Sequence, residues 1–230
     1  MKLAALFSGG KDSTYAIHLA KKLSHSVDVL LTLYPHSSDS HLLHHPNIKF
    51  TKLQSESMDI PQLIEEIPSV DTETEFKKLE KLIVSAKENY SIEGIIHGGI
   101  LSNFQKDNFS SICKKHNLEV ISPLWNQNPE LYMEELLKEN FEYIISSVSC
   151  DGLDDSWLGH IIDQDRLENL EKLQNKFGFN LNFEGGEAET FVINCPLFKK
   201  SLFIQDSRTE WDGYRAVSYT HLTLPTIYSV

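Results

Sequence analysis

The chain has 230 residues, 40% hydrophobic and 23% charged, the composition of an ordinary soluble globular protein with room for one large or two small domains. A formal charge of −12 argues against a nucleic acid backbone as the main partner, because that binding rests on Lys and Arg neutralising phosphates. No apolar run approaches the roughly 18 residues a membrane span needs, and three scattered cysteines (Cys113, Cys150, Cys195) without a C-x-x-C pair suit reduced thiols in a cytoplasmic protein.

The first element is a short apolar run, Leu3 to Phe7. It has no cleavage site and is expected as a strand, not a signal peptide. Ser8-Gly9-Gly10-Lys11-Asp12-Ser13 follows, and then Ala16, Leu19, Ala20 and Leu23 fall at i, i+3, i+4 and i+7, the spacing of a helix with one buried face. The order is therefore strand, glycine loop, helix. Gly9 and Gly10 allow a backbone approach that a Cβ would block. The loop N–H groups and the helix N-terminus make a cradle for an anion. Lys11 adds a mobile point charge, Ser8 and Ser13 add hydroxyls, and Asp12 can hold Mg²⁺ directly or through water. The spacing is not that of a Walker-type loop.

Further along, Val27 to Leu33 predicts a buried parallel strand and the alternation from Asn47 to Leu53 predicts another. Phe76, Leu79, Ile83, Ala86 and Tyr90 share one face of a long helix opened by Asp71-Thr72-Glu73. Glu93 to His97 predicts a strand ending in Gly98-Gly99, Phe104 to His116 a helix, and Glu119 to Ile121 a short strand. This alternation predicts an α/β fold, a doubly wound parallel sheet with ligands at the carboxyl ends of its strands. Pro123-Leu124-Trp125 marks a break. Beyond it come a helix at Leu131 to Leu137, mostly strand from Phe141 to Cys150, and an amphipathic helix from Asp163 to Phe177. Glu184-Gly185-Gly186-Glu187 and a strand at Phe191 to Asn194 follow. Residues 1–125 are expected as one domain that carries the anion cradle and 126–210 as a smaller α+β domain that closes over it. Residues 217–230, nearly uncharged and without amphipathic pattern, are expected to be a foreign tail and carry no functional weight.

Ser8 to Ser13 resembles the PP-loop of the ATP pyrophosphatase superfamily, whose members cleave ATP between the α and β phosphates and leave AMP on an acceptor. Four further segments occur in order: Asp39 to Ile48, His97 to Lys106 with Pro123-Leu124-Trp125, Gly152 to Gly159, and Glu184 to Val192. Together they resemble the diphthine–ammonia ligases in their archaeal-type single-chain form, over about residues 1–210. Departures are His41 and Phe104 where members often carry Tyr, Asp155 where they carry Glu, and His160 where they carry Arg. The last removes a fixed charge, so His160 is not expected to hold phosphate.

The resemblance implies a PP-loop fold of the HUP-like type, with residues 1–125 as the ATP-binding domain and 126–210 as the domain that closes over the nucleotide, and a reaction. ATP adenylates the carboxylate of diphthine on translation elongation factor 2, and ammonia displaces AMP to give the amide of diphthamide. It implies ATP and Mg²⁺ as cofactors, elongation factor 2 and ammonium as partners, and a cytoplasmic site with neither membrane nor nucleic acid partner. Lys11, Asp12 and Glu187 are implied as catalytic, with Asp12 on Mg²⁺. Ser8, Gly9, Gly10, Lys11, Asp12, Ser13, His97 and Gly98 are implied in ATP binding. Ser102, Gln105, Asp154, Ser156, Trp157, Glu184, Gly185, Gly186, Glu189 and Thr190 are implied in substrate binding.

Plainer readings stand beside these. The acids around Gly185-Gly186 form either a site for Mg²⁺ or ammonium, or a charged turn. Asp154 to Trp157 either bind substrate or cap a helix over a packed Trp. Trp125 serves interdomain packing or stacking on substrate. His36, His41, His44 and His45 lack a matching carboxylate or Cys set, so no metal site is expected there. The cysteines read as small buried residues. Two other functions compete: a tRNA-modifying enzyme that adenylates a base, which predicts a basic face and, for thiolation, a cysteine pair, and a non-catalytic ATP sensor, which would not need the second domain.

Overall fold

Short apolar runs rich in Leu, Val and Ile become strands, and the one-faced runs between them become helices, as the pattern requires. A computed structural model describes residues 1–35, 47–67, 71–101, 103–211 and 216–224. In chain order the elements are β1 (Lys2–Leu6), α1 (Lys11–Lys22), β2 (Ser26–Pro35), α2 (Thr51–Met58), β3 (Gln62–Ile67), α3 (Thr72–Tyr90), β4 (Gly94–Ile96), α4 (Asn103–Lys115) and β5 (Glu119–Ile121). There follow α5 (Pro129–Lys138), β6 (Glu142–Val148), α6 (Gln164–Phe177), β7 (Ala188–Asn194), β8 (Phe203–Trp211) and β9 (Ala216–Thr223). Contacts group the chain into two units, Met1–Ser8, Asp12–His44 and Asp59–Asn126 in one, and Gly9–Lys11, His45–Met58 and Gln127–Val230 in the other.

The first unit holds a five-stranded, all-parallel sheet in the order β3-β2-β1-β4-β5. The order reverses between β1 and β4, and the glycine loop begins at the carboxyl end of β1, the position where doubly wound sheets bind ligands. Ala4, Val29, Leu31, Leu79, Ile83, Ile95 and Cys113 form its core. Asp71 opens α3 by accepting the N–H groups of Glu73 and Thr74. The second unit carries an antiparallel sheet in the order β7-β6-β9-β8. Asn128 caps α5 through Leu131 N–H at 2.9 Å, with Pro129 at the first helical position. Residues 216–223, most of them in the stretch expected to be foreign, form β9. This strand pairs along β8 and reaches Ser147 and Val148 of β6. Among the described residues no helix is long and apolar enough to cross a membrane.

One expected strand is a helix. Asn47 to Leu53 alternates in the sequence, yet Ile48–Phe50 is a 3₁₀ turn that runs into α2. The buried positions of α2 include Thr51, Gln54, Ser55 and Met58, a helical period. Most of that buried face is polar, so a count of apolar residues could not detect it. β3 also went unread, because an edge strand with Glu65 and Glu66 in its middle lacks an apolar run.

Candidate active site

The glycine loop is made from both units' residues, and each set has its own geometry. In the first unit, Ser8 N–H donates to Ser13 Oγ at 3.3 Å, and the two hydroxyl oxygens lie 3.2 Å apart. The turn after β4 packs directly on the start of α1. A Cβ on Gly98 would stand 2.4 Å from Asp12 C and 2.6 Å from both Asp12 O and Ser13 N, so only glycine fits. His97 anchors this turn. Gly99 N–H donates to its Nδ1 at 3.1 Å, which makes Nδ1 the acceptor and leaves the proton on Nε2, donated to Ser122 Oγ at 2.6 Å. Phe109 meets the ring edge-on at 5.0 Å. Burial, and then the Lys106 charge, push the His97 pKa from 6.5 down to about 4, so the ring is neutral near pH 7. Its lone pair is committed to Gly99, and the imidazole therefore cannot serve as a base for Ser122. Lys106 Nζ itself lies 4.0 Å above the Trp125 ring.

In the second unit, Gly9 has φ +81°, and a Cβ there would stand 2.4 Å from Gln54 Oε1 and 2.9 Å from the Phe191 ring. Gly9 O accepts from Val192 N–H at 3.0 Å and from Gln54 Nε2 at 2.9 Å. Lys11 N–H donates to Thr190 Oγ1 at 3.1 Å. The Lys11 side chain is 2% exposed. Its ammonium donates to Asn182 O at 2.6 Å, with the Tyr132 and Phe183 rings 5.8 and 5.6 Å away. The expectation of a mobile charge is corrected here: Lys11 is a fixed cation, held by a carbonyl and two ring faces. Phe183 adopts φ +61°, an uncommon conformation for a bulky residue that costs of order 1–3 kcal/mol.

The acidic turn is organised by amides. Glu187 Oε1 accepts from Asn180 N–H at 2.9 Å and from the Asn180 side chain. Its Oε2 is buried and meets no donor among the described residues, and the same holds for acceptors at Asn182 Nδ2. Asn182 Oδ1 accepts from Glu184 N–H at 3.3 Å. A Cβ on Gly185 would press on Glu187 Oε1 at 2.7 Å, whereas Gly186 is required for its φ of +83°. Ser149 donates its hydroxyl to Gly186 O at 2.7 Å and its N–H to Glu187 O at 2.9 Å. Burial and then Glu187 and Asp151 push the Cys150 thiol up to about 11. Glu189 sits half-buried on β7 opposite Ser147, and Thr190 is buried beside it.

Asp154 accepts from Ser156 N–H at 3.0 Å and caps the short turn Asp155–Trp157, so the capping geometry is realised. Trp157 is half-buried, while Asp154 and Ser156 are exposed. Ser102, the side chain of Gln105 and residues 39–46 lie outside the described residues. Sequence reading passed over Gln54, Tyr132, Asn180, Asn182, Phe183 and Ser122. Asn180 and Asn182, just ahead of the acidic turn, carried a signal, since Asn side chains often organise turns. Among the described residues no three His, Cys, Asp or Glu side chains gather as a metal site.

A glycine loop that begins at the switch-point end of a parallel sheet is the arrangement with which α/β enzymes hold phosphate. Residues 1–120 match the diphthamide synthase N-terminal domain and residues 128–222 the diphthamide synthase C-terminal domain. The chain is 34% identical over 240 residues to the diphthine–ammonia ligase of Bos taurus, covering 95% of this chain and 90% of that one. The Homo sapiens protein of the same name is 33% identical with the same coverage. The Schizosaccharomyces pombe protein is 31% identical over 90% of this chain, which spans 36% of that longer relative. The chain belongs to the diphthamide synthase family.

Proposed function

We propose that this chain is a diphthine–ammonia ligase acting on diphthine in translation elongation factor 2. The observation that carries the reading is the likeness to such ligases over nearly the whole chain, with Ser8 to Ser13 intact at the carboxyl end of β1. In the first step a diphthine carboxylate oxygen attacks the α-phosphorus of ATP, the bond to the bridging oxygen breaks, and pyrophosphate leaves. In the second, the nitrogen lone pair of ammonia attacks the acyl carbon, the bond to AMP breaks, and a proton leaves the nitrogen.

A carboxylate is a poor electrophile until one oxygen carries a good leaving group, and adenylation supplies it. Negative charge grows on the phosphates as pyrophosphate departs. Fixed donors stabilise that charge best, because they need no reorganisation. Ser8, Gly9, Gly10 and Ser13 are the donors of the loop, and Lys11 is a preset positive charge at its helix end. His97 and Gly98 hold the backbone of Asp12 and Ser13. The half-buried Asp12 carboxylate is the hard oxygen in the loop and suits Mg²⁺, which usually takes one or two carboxylates plus substrate phosphates; Mg²⁺ there would offset phosphate charge. Glu187, with a buried oxygen that meets no donor among the described residues, suits an incoming ammonium and its proton. Glu184, Gly185, Gly186, Glu189, Thr190, Ser102, Gln105, Asp154, Ser156 and Trp157 form the acceptor side of the proposal. The thiolating alternative gains nothing from Cys113 and Cys150, whose thiols are pushed up to about 12 and about 11.

The test incubates the chain with ATP, Mg²⁺, ammonium and diphthine-bearing elongation factor 2, following AMP and the factor's mass. AMP in step with conversion of the carboxylate to its amide is the expected result. AMP without that change moves the acceptor elsewhere, and no AMP from folded protein with competent substrate ends the ligase reading.

A further inference from the structure

Gln54 has no part in the roles assigned above, yet it is fully buried on α2, with both amide hydrogens committed. Nε2 donates to Gly9 O at 2.9 Å and to Val192 O at 2.7 Å. Val192 N–H donates to the same Gly9 O at 3.0 Å. Two residues earlier on β7, Thr190 Oγ1 accepts from Lys11 N–H. Residues 9–11 therefore run along the outer edge of β7, and Gln54 is the cross-brace.

We infer that Gln54 is a positioning residue for the phosphate loop, setting the direction of the Gly9–Gly10 peptide; the inference rests on the ATP-binding reading of that loop. In a trans peptide the C=O and the following N–H point in opposite directions. With Gly9 O pulled toward Gln54 and Val192, Gly10 N–H is aimed the other way. Other buried polar groups of α2 have different partners: Thr51 Oγ1 donates to Ile48 O and Ser57 Oγ to Lys200 O. Gln54 is bonded to the loop itself. Its remaining atom makes the point sharper. Oε1 is buried with no donor among the described residues, and it lies where a Gly9 Cβ would sit. An apolar side chain of similar size would spare the fold that orphaned acceptor. It would also take the Gln54 donor from Val192 O, so the two effects on stability offset in part, and the loop carbonyl held at Gly9 is what sets glutamine apart at this position.

Two variants of the full chain test this. Gln54→Met keeps length and removes both the donors and the orphan. Its melting temperature should stay within a few degrees of the parent, and the KM for ammonium should hold. The kcat for AMP formation should fall about 10- to 100-fold, since preorganised donors act on the transition state. Gln54→Glu sets a carboxylate against two carbonyl oxygens; protonated, the introduced carboxyl can again donate to Gly9 O. Its activity relative to the parent should rise as pH is lowered, a recovery that Gln54→Met does not show. That recovery supports the inference even where the Met variant fails to fold. An unchanged kcat per folded molecule in Gln54→Met, or no relative recovery of Gln54→Glu at any pH where it is folded, overturns it. Calorimetric titration of the parent with a non-hydrolysable ATP analogue separates the two readings. A parent that binds no nucleotide sinks the loop assignment and this inference together. One that binds and turns over beside a variant with unchanged kcat sinks only the role of Gln54.

Discussion

Gly98→Ala probes the closest backbone approach in the first unit. The added methyl would stand 2.4 Å from Asp12 C, against the 3.4 Å at which ordinary contact begins, so something must yield by about 1 Å. The opposing atoms are backbone of the first turn of α1, not the tip of a flexible side chain. On its own side the turn is tied by Gly99 N–H to His97 and by His97 to Ser122, each bond contributing about 1 kcal/mol. Overpacking of this kind costs about 1–3 kcal/mol, which in a chain of this size lowers the melting temperature by roughly 2–10 °C. The effect on turnover should be larger. Asp12 is the backbone that moves, and under the role proposed for it a displacement near 1 Å costs on the order of 100-fold. Thermal unfolding and ATP-dependent AMP release, measured on the same sample, give both numbers. Gly178→Ala is the control. It sits at the end of α6 with φ +80° and open space around it, so it should lose about 1 kcal/mol of stability and keep its turnover. A Gly98→Ala chain that melts and turns over like the parent would refute the claim that this turn sets the position of Asp12.

Three other outcomes are expected. The folded pKa of His97, about 4, lies below its ordinary 6.5, so between these values the unfolded chain binds the extra proton; stability is whole above about pH 6.5 and declines as pH falls toward 4, by up to about 3 kcal/mol. Denaturant titrations at pH 7.5 and 5 should show that loss, and His97→Gln, which can still accept from Gly99 and donate to Ser122, should lack its histidine share; equal slopes in both proteins would contradict the buried neutral ring. Lys11→Met keeps the contact with Tyr132 and Phe183 while removing the charge, so the fold should survive and AMP formation should drop about 100-fold or more; normal turnover would remove Lys11 from the chemistry. Cys113 and Cys150, with thiols pushed up to about 12 and about 11, should resist iodoacetamide at pH 8 until denaturant is added, and rapid alkylation of either in the folded chain would show a thiolate that burial should suppress.

What could be read from the sequence depended on how far away each partner lies. The strand, loop and helix around Ser8 to Ser13 were legible because a glycine pair, an apolar run and a helical period all act within a few residues. The cap at Asp154 was equally open to reading, its partner Ser156 being two residues on. Lys11 was legible as a charge but not as a fixed one, since its carbonyl is on Asn182 and its rings are on Tyr132 and Phe183. Nothing local tells which way a lysine at the first position of a helix will turn. Gln54 was hidden twice: its helix buries a polar face, which defeats an apolar period, and its partners Gly9 and Val192 lie far away in both directions along the chain.

The acidic turn shows the same limit in another form. Its glutamates draw attention in the sequence, yet the groups that hold it are Asn180 and Ser149, whose bonds fix Glu187 and Gly186. Neither is charged, and Ser149 comes from the end of β6. The carboxylates thus stand out in the sequence, while neutral amides and hydroxyls decide how the turn is held. Asn182 joins the two halves of this device. Its side chain accepts from Glu184 N–H in the turn, and its backbone carbonyl accepts from the Lys11 ammonium. A change at the turn that moved residue 182 would therefore move the lysine as well, and the acidic turn and the loop cation should be treated as one unit in any mutational study of this chain.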